Sequence, residues 1–151
     1  GLGDVYKRQG HLMSLNRFEQ FALGASGITA LGIGAAIVAM PRVFYATYGI
    51  ELGDNVNLLS ELRAPGAGLA VFGALMLTGI VRPAMRQTAI VAAMTVFLAY
   101  PAGRLAGIAF DGVPSPNILG ALGFELVVAV ICVLAFGHRF RARPLGSHAT
   151  Q

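Results

Sequence analysis

Phe21 to Met40 contains no charged side chain, and the pattern recurs three more times along the chain. A bilayer core about 30 Å thick needs roughly 20 apolar residues per helix. Ala64 to Val81 is a second run without charge. Gln87 to Phe110 is broken only by Arg104, and Pro116 to Gly137 only by Glu125. Four such runs predict four transmembrane helices, near 20–40, 58–81, 87–110 and 116–137. The predicted fold class is therefore all-α: a four-helix transmembrane bundle with short loops.

Composition agrees. Only 12% of the 151 residues are charged, against roughly 25% in a soluble globular domain. That is too few to coat a globule of this size, so lipid is the solvent that fits. The 20 glycines suit membrane helices, where small residues let backbones approach. Ser26, Ala30 and Gly34 form one small-xxx-small ladder, and Gly66, Ala70 and Ala74 another. The basic residues are dispersed, with no basic stripe, so no nucleic-acid partner is expected. The lipid bilayer is the expected partner, with a membrane-protein partner or a second copy of the chain beside it.

The breaks between runs have their own signals. Arg42 to Ser60 is the longest connection, and Val43, Phe44, Tyr45 and Tyr48 suit a short interfacial helix after the first span. Asn55 or Asn57 is placed to cap the second helix. Pro65 is expected close to that helix's start, where a proline costs least. Ser115 followed by Pro116 reads as an N-cap and first helical position, with Ser115 ordering the loop. Arg17 before the first run raises the rival of a cleaved signal peptide. The run is too long for a signal h-region, however, and Glu19 is foreign to its basic leader. A retained span is expected.

The ends read differently from the middle. Asp4-Val5-Tyr6-Lys7-Arg8-Gln9 resembles the translation of a transposase mosaic-end adaptor used in sequencing libraries. Residues 1–12 are therefore expected to be an adaptor scar or a disordered leader. Residues 13–137 form the four-helix membrane domain and 138–151 a basic cytoplasmic tail. An even number of crossings puts Arg17, Arg82, Arg86, Arg139, Arg141 and Arg143 on one side. Lys/Arg excess marks the cytoplasm, so both termini are expected there.

No motif announces a reaction. His11, His138 and His148 lie in terminal segments without metal-site spacing. Cys132 has no ligand companions and sits in an apolar run, as a small hydrophobe would. No nucleophile–base pattern and no phosphate-cradling loop is readable, so no catalytic residue, metal or cofactor is assigned.

Ionisable residues inside a membrane are costly and mark function by default. The candidate polar cluster is Glu61, Arg63, Arg104, Asp111 and Glu125. Arg104 lies seven residues before Asp111, about 10 Å along a helix, and Glu125 eight after Asn117, about 12 Å. Matching depth on antiparallel neighbours predicts that Arg104 meets Glu125, with Glu61 able to share the arginine. Asp111 is a second acceptor for Arg104, and snorkelling of the guanidinium to the interface is the competing outcome. A fully paired network would staple the bundle; a network with a group left over would make a pocket.

Glu61-Leu62-Arg63-Ala64, Gly68-Leu69, Gly103-Arg104, Asp111-Gly112-Val113-Pro114-Ser115-Pro116 and Glu125-Leu126 together resemble a bacterial family of four-helix membrane proteins. It is the domain of unknown function 4345 family, and the likeness covers roughly residues 20–137. That family is distantly similar to DoxX-like membrane proteins, some associated with redox systems. The resemblance implies a fold and a membrane location and supplies no activity; the bacterial inner membrane is the expected site. Two functional expectations remain. One is a non-enzymatic accessory or structural subunit. The other is a small-molecule binder, carrier or redox-associated component that uses the charged cluster.

Overall fold

The computed structural model describes residues 1–4 and 14–141. Most of the expected leader, with its boundary at Met13, and the tail beyond Arg141 lie outside those residues. The architecture is all-α, as expected. Helix α1 is Arg17–Ala39, α2 is Pro41–Ala46, α3 is Val56–Val81, α4 is Arg86–Asp111 and α5 is Pro116–Phe136. Single 3-10 turns, Pro83–Met85 and Gly137–Phe140, precede α4 and follow α5. All but α2 belong to segments long and apolar enough to cross a membrane, the make-up of a multi-pass membrane protein. Side chains such as Ile28, Val71, Leu98, Val127 and Leu134 are exposed on the outside of the bundle. In water this belt would be an aggregation surface; in lipid it is the solvated face.

Local signals set the helix ends. Asn16 and Glu19 form a reciprocal capping box at the start of α1. Asn55, of the two asparagines expected to cap, accepts from the Leu58 amide and starts α3. Helix α3 therefore begins early, and Pro65 is its tenth residue rather than a near-terminal one. Proline there leaves the Glu61 carbonyl without its intrahelical donor, a cost the packing of the helix must offset. The turn after α4 depends on Gly112, whose φ of 100° lies where L side chains are strained.

The helices form a closed ring in chain order, α1 against α3, α3 against α4, α4 against α5 and α5 back against α1. The closest approach is α1 on α3. A Cβ on Gly34 would collide with the backbone of Ala70 and Gly66, and one on Gly73 with the backbone of Leu31 and Gly27. The expected ladders are thus half right. Ser26, Ala30 and Gly34 are buried, but the α3 seam runs through Gly66, Ala70 and Gly73, while Ala74 is exposed. A period near 3.5 rather than 4 keeps the seam facing a partner that runs alongside it.

Polar contacts tie α5 and the turn after it to α1 and the residues before it. The Ser26 hydroxyl and the Cys132 thiol lie 3.2 Å apart in the buried interior. Near the terminal end, Arg139 Nε donates to Glu19 Oε2 at 2.6 Å and its terminal nitrogen to the Ser14 carbonyl at 3.2 Å. The Glu19 side chain is only 3% exposed. Arg139, expected in a loose basic tail, is part of the bundle. Leu23, Met76, Ile90 and Phe136 are fully buried and fill the half of the bundle nearer the termini. The half nearer α2 is packed differently.

Candidate functional site

A cavity of about 440 Å³ opens within the α2 half of the bundle. All four long helices contribute to its wall, and α2 with the following turn covers it. Helix periodicity explains the wall from α3. Leu62, Pro65, Gly66 and Leu69 recur at one-turn spacing and line the cavity, as residues on one helical face must. Tyr100 and Arg104 are likewise four apart on α4, and Ala121 and Glu125 four apart on α5.

Arg104 and Glu125 meet as their depth predicts. Arg104 Nε donates to both carboxylate oxygens, at 3.0 Å to Oε1 and 2.8 Å to Oε2. The glutamate side chain is 11% exposed and the arginine side chain 31%. Among the described residues, no acceptor is hydrogen-bonded to the terminal guanidinium nitrogens of Arg104. Nε holds the carboxylate, and Arg104 and Glu125 both line the cavity.

The remaining cluster members are elsewhere. Glu61 and Arg63 are exposed and form no ion pair with Arg104 or Glu125. With Leu62, Pro65 and Gly66 facing the cavity, residues 61 and 63 must face outward. Arg63 instead lines a shallow surface groove with Arg42, Ser60 and Val56. Asp111 is exposed and is not bonded to Arg104, whose Nε is committed to Glu125. A shared network of helices α3, α4 and α5 is therefore not formed. Ser115 does stand at the N-cap of α5, and its carbonyl accepts from the Leu119 amide. Its side chain makes no capping hydrogen bond, so the loop is ordered by Gly112 and the flanking prolines rather than by the Ser115 hydroxyl.

Three cavity residues escape a reading based on charge. Tyr45, Tyr48 and Tyr100 all line the cavity. Tyr45 and Tyr48 have the sequence character of headgroup-level aromatics, but the turn into α2 directs them over the cavity. Phe44 packs edge-on to both, with ring centroids 5.1 and 5.4 Å away. Among the described residues no hydrogen bond engages any of the three phenol hydroxyls. Burial raises the Tyr45 phenol above its ordinary range, and the neighbouring Tyr100 and Tyr48 add to the shift while Arg104 opposes it. Tyr45 therefore stays protonated, a hydrogen-bond donor as well as an acceptor. The signal for Tyr100 was available: it precedes Arg104 by four residues, on the same face.

Among the described residues a side-chain hydrogen bond fastens the cover to α5. Asn117, in the first turn of α5, donates through Nδ2 to the Thr47 carbonyl at 2.9 Å. Arg42 holds the loop beyond, donating to the Gly53 carbonyl at 3.0 Å and to Asp54 at 3.1 Å. This second contact is well exposed and worth little energetically.

A cavity of this size falls within the range of small-molecule sites, which are mostly apolar with a few convergent polar groups. Its polar lining is the Arg104 guanidinium beside the Glu125 carboxylate, the phenols of Tyr45, Tyr48 and Tyr100, and Thr29 and Asn117; the carboxylate is already engaged by Arg104. Among the described residues no group of three or more His, Cys, Asp or Glu residues is placed to hold a metal ion.

A family model described as a domain of unknown function (DUF4345) matches residues 18–136, which spans α1 to α5 and the whole cavity. No curated protein matches the chain, and no solved structure does.

Proposed function

The chain belongs to the DUF4345 family, and from that premise we propose that it is a small-molecule-binding protein of a bacterial cytoplasmic membrane. Both termini lie in the cytoplasm, and the α2 end, with its cavity, faces outward. The arginine distribution supports this orientation. Arg17 and Arg139 stand at the terminal end, with Arg82 and Arg86 at the turn between α3 and α4. Reporter fusions in that turn and within residues 49–56 test the orientation. Cytoplasmic activity from the first and periplasmic activity from the second are expected; the reverse pattern overturns it.

One observation carries the binding function. A purely structural accessory subunit would have its intramembrane polar groups bonded to one another. Here Arg104, Tyr45, Tyr48 and Tyr100 line a cavity, and among the described residues the terminal guanidinium nitrogens and the three phenols have no hydrogen-bond partner. Tyr100 is 40% exposed, so these groups are reachable, and a few convergent polar groups in a mostly apolar cavity are what fix a ligand's orientation. No step of chemistry is assigned to the site: the protein binds, and acts as a carrier or sensor.

The test is gentle purification in lipid nanodiscs, followed by extraction and mass spectrometry of retained small molecules. A stoichiometric compound is expected, and it is expected to be lost in Ala121→Phe, which fills the cavity from α5. A chain that retains no compound, and whose cavity-filling variant behaves identically toward added amphiphiles, is not a binding protein.

A further inference from the structure

The charge balance of the cavity limits its ligand. Resting on the binding function just proposed, we infer that the ligand is an electrically neutral, carbonyl-bearing amphiphile drawn from the lipid phase, rather than an anion. Arg104 alone would select a carboxylate or phosphate. Arg104 is already neutralised by Glu125 at 2.8 Å. An added anion would leave a net negative charge in a cavity with apolar walls, where unpaired charge is expensive. A neutral acceptor takes the terminal guanidinium nitrogens and phenols as donors and leaves the balance at zero.

The rest of the wall agrees with an amphiphile. Ile33, Ile37, Leu62 and Leu69 line the same cavity and offer an apolar bed within reach of the donors. Phe97 and Tyr100 on α4 and Phe44 and Tyr45 at the cover supply aromatic faces. The ligand therefore has its polar carbonyl end at Arg104 and its hydrocarbon against α1 and α3. Glu125 acts as a counter-charge: it orients the guanidinium through Nε and cancels the positive field that would otherwise attract anions.

The protein has no tryptophan and four tyrosines, three of which line the cavity. Tyrosine emission therefore reports cavity occupancy directly. The full chain in liposomes, which add no aromatic residues, is titrated with three probes of equal chain length: tridecanone, tridecanoate at a pH well above the carboxylate range, and tridecane. Saturable change with tridecanone, on the order of tenfold tighter than with either other probe, is expected. Tridecanoate binding as tightly as tridecanone overturns the neutral-ligand inference and leaves the binding function standing. Tridecane binding equally well does the same, by removing the role of the donors. No saturable change with any probe counts against the binding function itself.

Glu125→Gln gives a second readout. It uncovers the Arg104 charge, so selectivity is expected to turn from tridecanone to tridecanoate on the order of tenfold. A folded Glu125→Gln protein with unchanged selectivity overturns the counter-charge argument. Should that variant not fold, the three-probe series on the unaltered chain decides alone.

Discussion

Arg104 and Glu125, twenty-one residues apart in the chain, are joined through a single guanidinium nitrogen that contacts both carboxylate oxygens. The antiparallel register of α4 and α5 brings the two residues to one depth. Removing either charge strands the other. Reversing one of them alone, Arg104→Glu or Glu125→Arg, is expected to destabilise the protein by about 3 kcal/mol, as for other broken buried pairs. The double exchange recovers part of that loss. The pair itself is worth less, about 0.6 kcal/mol for an average interhelical polar contact in membranes. Unfolding in mixed micelles measures all three proteins, and a double exchange no more stable than the worse single reversal would falsify the pairing.

The seam between α1 and α3 predicts opposite outcomes for two glycines. At Gly34 a side chain has nowhere to go, because the backbone of Ala70 stands in the way. Gly34→Leu is expected to cost at least the 1–3 kcal/mol typical of overpacking. Gly103 on α4 faces open space, so Gly103→Ala is expected to stabilise by roughly 0.5–1 kcal/mol through helix propensity. Thermal unfolding of the two variants side by side checks the contrast, and equal effects would remove the argument for backbone contact at Gly34.

Two caps that look alike in the sequence behave differently. Asn55 accepts from the Leu58 amide at 3.2 Å, whereas the Ser115 side chain caps nothing. Asn55→Ala is expected to cost about 1 kcal/mol, and Ser115→Ala to stay within the roughly 0.5 kcal/mol of a neutral surface change. A Ser115→Ala loss as large as that of Asn55→Ala would show that the serine does cap.

Asn117 fastens the cover of the cavity through the Thr47 carbonyl. Asn117→Ala is expected to loosen α2 and the following turn by about 1 kcal/mol. Amide exchange of residues 44–50 should quicken, while that of the buried α1 stretch around Leu23 stays as it was. Uniform quickening along the chain would mean that Asn117 supports the whole bundle instead.

The spans were legible because charge-free runs of bilayer length leave few alternatives. The Arg104–Glu125 pair was legible because helical rise converts loop position into depth. Glu61 and Arg63 were misplaced because charge alone does not give helix rotation. The apolar set Leu62, Gly66 and Leu69 did give it, and it turns the two charges outward. Glu19 and Arg139 were missed as a pair because nothing local links residues that distant, although the Asn16–Glu19 box was present in the text of the chain. Tyr45 and Tyr48 were read as interfacial from composition. Their service as a cavity cover depends on how Pro41 redirects the chain after Met40, which a hydropathy pattern does not record.

The contact between Glu19 and Arg139 also sets an order in time. The two residues stand 120 positions apart, so the glutamate leaves the ribosome long before its partner exists. At about 5–20 residues per second, the wait is on the order of ten seconds. Through that interval the first helix carries an uncompensated carboxylate at its end, held only by its own cap. The ion pair is formed last, by nearly the final residue of the bundle to be made, so a nascent chain stalled short of Arg139 would hold four helices and the Ser26–Cys132 contact but no ion pair to close the ring.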